Sequence, residues 1–151
     1  MSRIMKALST FDGGFNCAQA VLTAFGDVSG IDSERVLKIA CGFGAGMGKM
    51  GKTCGAVTGA FMVIGLKYGH TKGNDIESKE KTYALVREFC SLFSKKHGSV
   101  ECRELLPCDI STPEGLEFAL EQKLFRTLCP KYVESSVRIL EKILSGNSHE
   151  V

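Results

Sequence analysis

Cys54 stands where a glycine ladder meets an apolar stretch, and its chemistry would be that of a thiolate. Gly42, Gly44, Gly46, Gly48 and Gly51 precede it, with Lys49 and Lys52 among them. From Cys54 to Leu66 nearly every residue is apolar, with Gly55 and Gly59, and Ala56 and Ala60, at four-residue spacing. Glycine at that density suits a loop that needs positive φ or close backbone approach. The following stretch suits a buried helix whose small residues let neighbours come near. Cys54 then lies in the first helical turn, where unpaired N–H groups and the helix dipole favour an anion. The dipole contributes about 0.3–1 kcal/mol, and one pKa unit is worth about 1.36 kcal/mol. That falls short of ionising an ordinary thiol, with a pKa of about 8.5, near neutrality. Lys49 and Lys52 must add their charge, or a metal must hold the sulfur. The competing reading is a small buried residue that starts a helix.

Six further cysteines, Cys17, Cys41, Cys90, Cys102, Cys108 and Cys129, bring the total to seven. The N-terminal MSRIMKALSTF lacks the apolar core of a secretion signal, so a cytoplasmic, reducing compartment is expected. There, cysteines are catalytic or metal-binding more often than paired in structural disulfides. An odd number cannot pair completely within one chain. No CxxC occurs, which removes the thioredoxin-like and zinc-ribbon signatures. Any site must be assembled from distant parts of the chain.

The elements that would assemble it read as helices throughout. Ile4, Leu8 and Phe11 recur at helical spacing before Asp12-Gly13-Gly14. Asn16 with Gln19 forms a capping-box pattern, so Cys17 opens the next helix. Asp32 or Ser33 caps a helix ending at Cys41, where the dipole opposes a thiolate. A long helix from Asn74 or Asp75 to about Lys96 carries Tyr83, Val86, Cys90 and Phe93 as one stripe, widened by Leu85, Phe89 and Leu92. Ser99 caps a short helix that includes Cys102, and Pro107-Cys108-Asp109 is a turn. Pro113 suits a first helical position, and Leu116, Ala119, Leu120, Leu124 and Leu128 predict one continuous buried face after it. Cys129-Pro130 begins the last helix, with Val133, Val137, Leu140 and Leu144 on its inner face. Gly146 onward is a polar tail, and His149 there has no visible partner; His70 and His97 read as helix-terminal surface residues. The expectation is one all-α domain over residues 1–151, about seven helices around the glycine- and alanine-rich Cys54 helix.

Several function classes are excluded. A formal net charge of +2, the absence of Trp and the lack of a basic run leave no case for nucleic acid. The Cys54–Leu66 run is too short to span a bilayer. Gly46–Thr53, GMGKMGKT, has the spelling of a phosphate-binding P-loop. A P-loop follows a β-strand, and the segment before this one reads as helix.

CGAVTG at Cys54–Gly59 resembles the CGAxxG signature of the C_GCAxxG_C_C family, grouped as redox-active proteins. That pattern has one cysteine ahead of the motif and two beyond it. Cys17 in FNCAQAVL, Cys102 in ECRELL and Cys129 in LCPKYV match those positions. All four family-matching cysteines fall at a helix start by the reading above, whereas Cys41, Cys90 and Cys108 do not. Four N-termini meeting would surround thiolates, or a thiolate-bound cluster, with N–H donors.

The resemblance implies a redox function, and two chemistries compete for it. Cys17, Cys54, Cys102 and Cys129 act as a thiol–disulfide oxidoreductase, with Cys54 attacking and Lys49 and Lys52 activating it. Alternatively the same four ligate an iron–sulfur cluster, with zinc ranked behind it. Gly55, Lys49 and Lys52 would then contact the cofactor, and Cys108 could replace Cys102 as a ligand. A third reading is a helical partner-binding module without redox chemistry. The partner implied is a redox protein that the residues do not name, and the small-residue faces would suit a homodimer.

Overall fold

The computed structural model describes residues 1–146, and His149 and the rest of the polar tail lie outside them. Eleven helical segments follow one another: α1 (Arg3–Asp12), α2 (Cys17–Ala24), α3 (Gly26–Ser29), α4 (Ser33–Cys41), α5 (Gly44–Met47), α6 (Gly55–Tyr68), α7 (Ile76–His97), α8 (Cys102–Leu105), α9 (Pro113–Glu121), α10 (Leu124–Thr127) and α11 (Cys129–Ser145). Seven of these have eight or more residues and the other four are single turns, so the count runs above the seven or so expected. Among the described residues there is no β-strand, and one isolated antiparallel bridge joins Thr53 to Glu101. None of these helices is long and apolar enough to cross a membrane.

Polar caps set the helix starts. Ser2 Oγ accepts from the Met5 N–H, and Asp32, Asp75 and Thr112 do the same for α4, α7 and α9. Asn16 and Gln19 form the full reciprocal box, each bond 2.9 Å. Gly98 and Gly146, both left-handed, close α7 and α11.

The core is built around α6, buried on almost every side from Gly55 to Ala60 and again at Val63 and Ile64. Its small residues let α2 approach: a Cβ on Gly59 would lie 3.0 Å from Ala18 O and 3.2 Å from Val21 Cβ. From the other side α11 buries Val133, Val137 and Leu140, and Ser136 Oγ donates to Ala56 O at 2.7 Å. Phe89 and Phe93 of α7 stack at 5.9 Å, with Phe61 edge-on to Phe89. Each fully buried Phe contributes about 1.5–3 kcal/mol through burial alone. A smaller cluster of Cys102, Leu106, Ile110 and Ala119 sits beneath α8 and α9.

Two expectations are corrected. The helix after Pro113 is not continuous to Leu128: Lys123 takes φ 55°, ending α9, and α10 restarts. Leu120, expected on the buried face, is 60% exposed, while the break turns Phe125 towards the cavity described below. On α7, Tyr83 is exposed rather than part of the inner stripe, because the helix outruns the core at its N-terminal end.

Candidate functional site

Each of the four family-matching cysteines is positioned by a helix start. Cys17 is the first residue of α2, held by the Asn16–Gln19 box. Cys54 is the N-cap of α6, and Cys102 and Cys129 are the first residues of α8 and α11. Backbone bonds flank the Thr53–Glu101 bridge: Cys54 N–H donates to Val100 O at 2.8 Å, and Cys102 N–H to Lys52 O at 2.6 Å. Alternation along such a bridge puts the Cys54 and Cys102 side chains on one side of it. Arg103 strengthens the join, its guanidinium donating to Gly51 O and Met50 O, both at 3.1 Å.

All four cysteines line one cavity of about 370 Å³. Cys17, Cys54 and Cys102 are each only 7% exposed. Cys41 is exposed, Cys90 and Cys108 are half-buried, and none of the three lines the cavity. Lys49 reaches its wall, whereas Lys52 does not and is held instead through its backbone N–H to Gly46 O at 3.0 Å. The remaining wall is largely aromatic and aliphatic, including Phe11, Phe15, Leu116, Phe125 and Tyr132.

The thiols are not equivalent. The Cys54 thiol donates a hydrogen bond to the Cys17 sulfur, the largest cause of a Cys17 pKa lowered to about 7. Burial opposes this, and the backbone N–H groups of Ala45, Ala18 and Cys17 itself assist. For Cys54 the same bond works the other way: giving up its donated proton, desolvation and the neighbouring Cys17 charge all push its pKa up. Burial pushes Cys102 up to about 12, and Cys129 also upward, each helped by the nearby Cys17 charge. From the sequence, Cys54 is the expected attacking sulfur, with Lys49 and Lys52 assisting; in the fold the thiol of Cys54 and backbone amides act on Cys17.

The glycine ladder makes room for the sulfurs. A Cβ on Gly55 would collide with Cys17 Sγ, and one on Gly44 with the Asn16 side chain that caps α2. A Cβ on Gly46 would lie 2.8 Å from Cys102 Cβ and 2.6 Å from Lys52 N. Between them the chain winds left-handed for five successive residues, Ala45, Gly46, Met47, Gly48 and Lys49, with φ from 55° to 67°. Gly48 N–H closes this turn on Gly44 O at 2.9 Å. Left-handed helix costs a non-glycine residue about 1–2 kcal/mol, and Ala45, Met47 and Lys49 all adopt it. The return is the Ala45 N–H that assists the Cys17 thiolate. The P-loop spelling of Gly46–Thr53 therefore belongs to a left-handed turn with no strand before it.

Sequence reasoning missed the aromatic wall, the Arg103 join and the setting of His97. The His97 ring is half-buried, its Nε2 2.8 Å from Ser135 Oγ and its face near Phe93 and Tyr132. Phe15 beside the Asn16 cap was the one available sign of an apolar wall. Among the described residues, no three His, Cys, Asp or Glu side chains are grouped so that they could hold one metal ion.

No curated protein and no solved structure matches the chain. A family model described as "Putative redox-active protein (C_GCAxxG_C_C)" matches residues 15–143, a span that holds all four cavity cysteines and the left-handed turn. The chain belongs to the C_GCAxxG_C_C family.

Proposed function

We propose that this is a dithiol redox protein in which Cys17 and Cys54 cycle between two thiols and a disulfide. The observation that supports the reading is that Cys17 and Cys54, each 7% exposed, line one cavity together, with the interaction between them lowering the Cys17 pKa. A thiolate with pKa near ambient pH is the best compromise between ionised fraction and nucleophilicity. Cys17 attacks the acceptor; Cys54 then attacks the Cys17 sulfur, gives up its proton and closes the S–S bond as the reduced acceptor leaves. Cys102 and Cys129 remain neutral thiols through both steps, because burial holds their protons.

Anaerobic purification followed by metal analysis, an absorption spectrum and disulfide mapping after mild oxidation tests this. The expected result is a colourless protein that loses two thiols per chain and yields a Cys17–Cys54 linked peptide. Iron with sulfide-to-iron charge-transfer bands would instead make the cysteines ligands. Thiols that never oxidise in pairs would leave a helical partner-binding domain.

A further inference from the structure

The dithiol is nearly buried. Cys17 and Cys54 are each 7% exposed, and the way to them is through a cavity of about 370 Å³ rather than across an open surface. An acceptor must therefore come to the sulfurs. Cavities of roughly 300–1,000 Å³ take small organic molecules, and the walls here state what kind. Phe11, Phe15, Leu116, Phe125 and Tyr132 offer carbon and ring faces. The polar lining groups are turned to the protein: Tyr132 Oη donates to Leu105 O, and the Asn16 side chain bonds Gln19 N–H and Cys41 O. Lys49 is the charged side chain on the wall, so a polyanionic molecule finds little to hold it.

We infer that the acceptor is a small apolar quinone, reduced inside this cavity by the Cys17–Cys54 dithiol. This rests on the dithiol reading of the same site and adds the substrate class to it. The step balances as one thiolate, one thiol, one quinone and one proton giving one disulfide and one hydroquinone. Cys17 sulfur bonds to the quinone ring, which takes the electron pair onto oxygen. Cys54 sulfur then bonds to Cys17 sulfur, the carbon–sulfur bond breaks, and the two oxygens are protonated from Cys54 and from water. Lys49, the charged residue on the cavity wall, would supply the positive charge for the oxyanion that develops in between. A flat conjugated ring suits the aromatic walls, since ring pairs add to their area burial.

The test uses the reduced full-length protein and three oxidants: tetramethyl-1,4-benzoquinone, whose substituted ring blocks permanent arylation of thiols, glutathione disulfide and hydrogen peroxide. The expected result is one hydroquinone and one Cys17–Cys54 disulfide per chain, at least about tenfold faster than with glutathione disulfide. Lys49→Met should slow quinone reduction about tenfold, the factor that about 1.4 kcal/mol of lost oxyanion attraction represents. A disulfide formed with peroxide but not with the quinone overturns the acceptor class and leaves the dithiol reading standing. Glutathione disulfide reacting as fast as the quinone also overturns the class. No disulfide with any of the three overturns both.

Discussion

Replacing Gly55 by alanine adds one methyl group to the first residue of α6, and its consequence can be worked from the contacts. In an open helix, Gly→Ala stabilises by about 0.8–1.0 kcal/mol. Here the new Cβ collides with Cys17 Sγ and lies 3.0 Å from Ala18 N and from Phe43 O. Neither backbone atom is the end of a flexible side chain. The sulfur must move, and with it the Cys54–Cys17 hydrogen bond. Overpacking of this kind costs about 1–3 kcal/mol, so Gly55→Ala should destabilise by roughly 1–2 kcal/mol. Gly65 supplies a control within the same helix, because a Cβ there meets nothing within 4 Å. Gly65→Ala should stabilise by about 0.5–1 kcal/mol. Urea unfolding of both variants measures the two signs. Alkylation of Cys17 against pH, followed by peptide mass spectrometry, tells whether the sulfur lost its donor. Should Gly55→Ala prove as stable as Gly65→Ala with Cys17 titrating unchanged, the close approach is not what this glycine is for.

Three further outcomes are expected. Cys54→Ala removes the largest cause of the Cys17 shift, so alkylation of Cys17 should move from an apparent pKa of about 7 up towards the ordinary thiol value, measured by rate against pH; an unmoved profile would assign the shift to the backbone amides alone. Ala45→Gly relieves a left-handed alanine at φ 55° and should stabilise by up to about 1 kcal/mol in urea, whereas the ordinary effect of glycine is the opposite. Alkali should destabilise the protein: Cys102 is held neutral to about 12 in the fold and titrates near 9.0 when unfolded, so its stabilising effect is complete below about 9 and is lost as pH rises towards 12. The loss is up to about 1.4 kcal/mol per pH unit for that thiol, and Cys129 and Cys54 act in the same direction. A midpoint of unfolding that stays flat between pH 9 and 11 would contradict this.

Helix starts were legible in the sequence because caps and breakers act locally: the Asn16–Gln19 box, Asp75 and Thr112 each sit where residue type alone predicts. The buried central helix was legible from Gly55, Ala56, Gly59 and Ala60, which no exposed helix would carry in that pattern. The surroundings of Cys17 were not, because the Cys54 thiol and the Ala45 amide are brought to it by folding. Nor was the left-handed turn, since three of its five residues are not glycine and nothing local asks alanine, methionine or lysine to take positive φ. The aromatic wall escaped for a related reason. Its rings come from α1, the loop before α2, α10 and α11, and each looks like ordinary core within its own segment.

The bridge between Thr53 and Glu101 has a consequence for how the protein is made. It closes a separation of 48 residues around α6 and α7, at an entropic cost near 3–4 kcal/mol by the logarithmic rule for flexible loops. Cys129 arrives later still. During synthesis, Cys17 and Cys54 leave the ribosome long before the segments that complete their surroundings, so the two sulfurs have no finished pocket until the chain is nearly whole. Contacts of such long sequence separation form late, so the cavity around Cys17 and Cys54 is among the last parts of the fold to be completed.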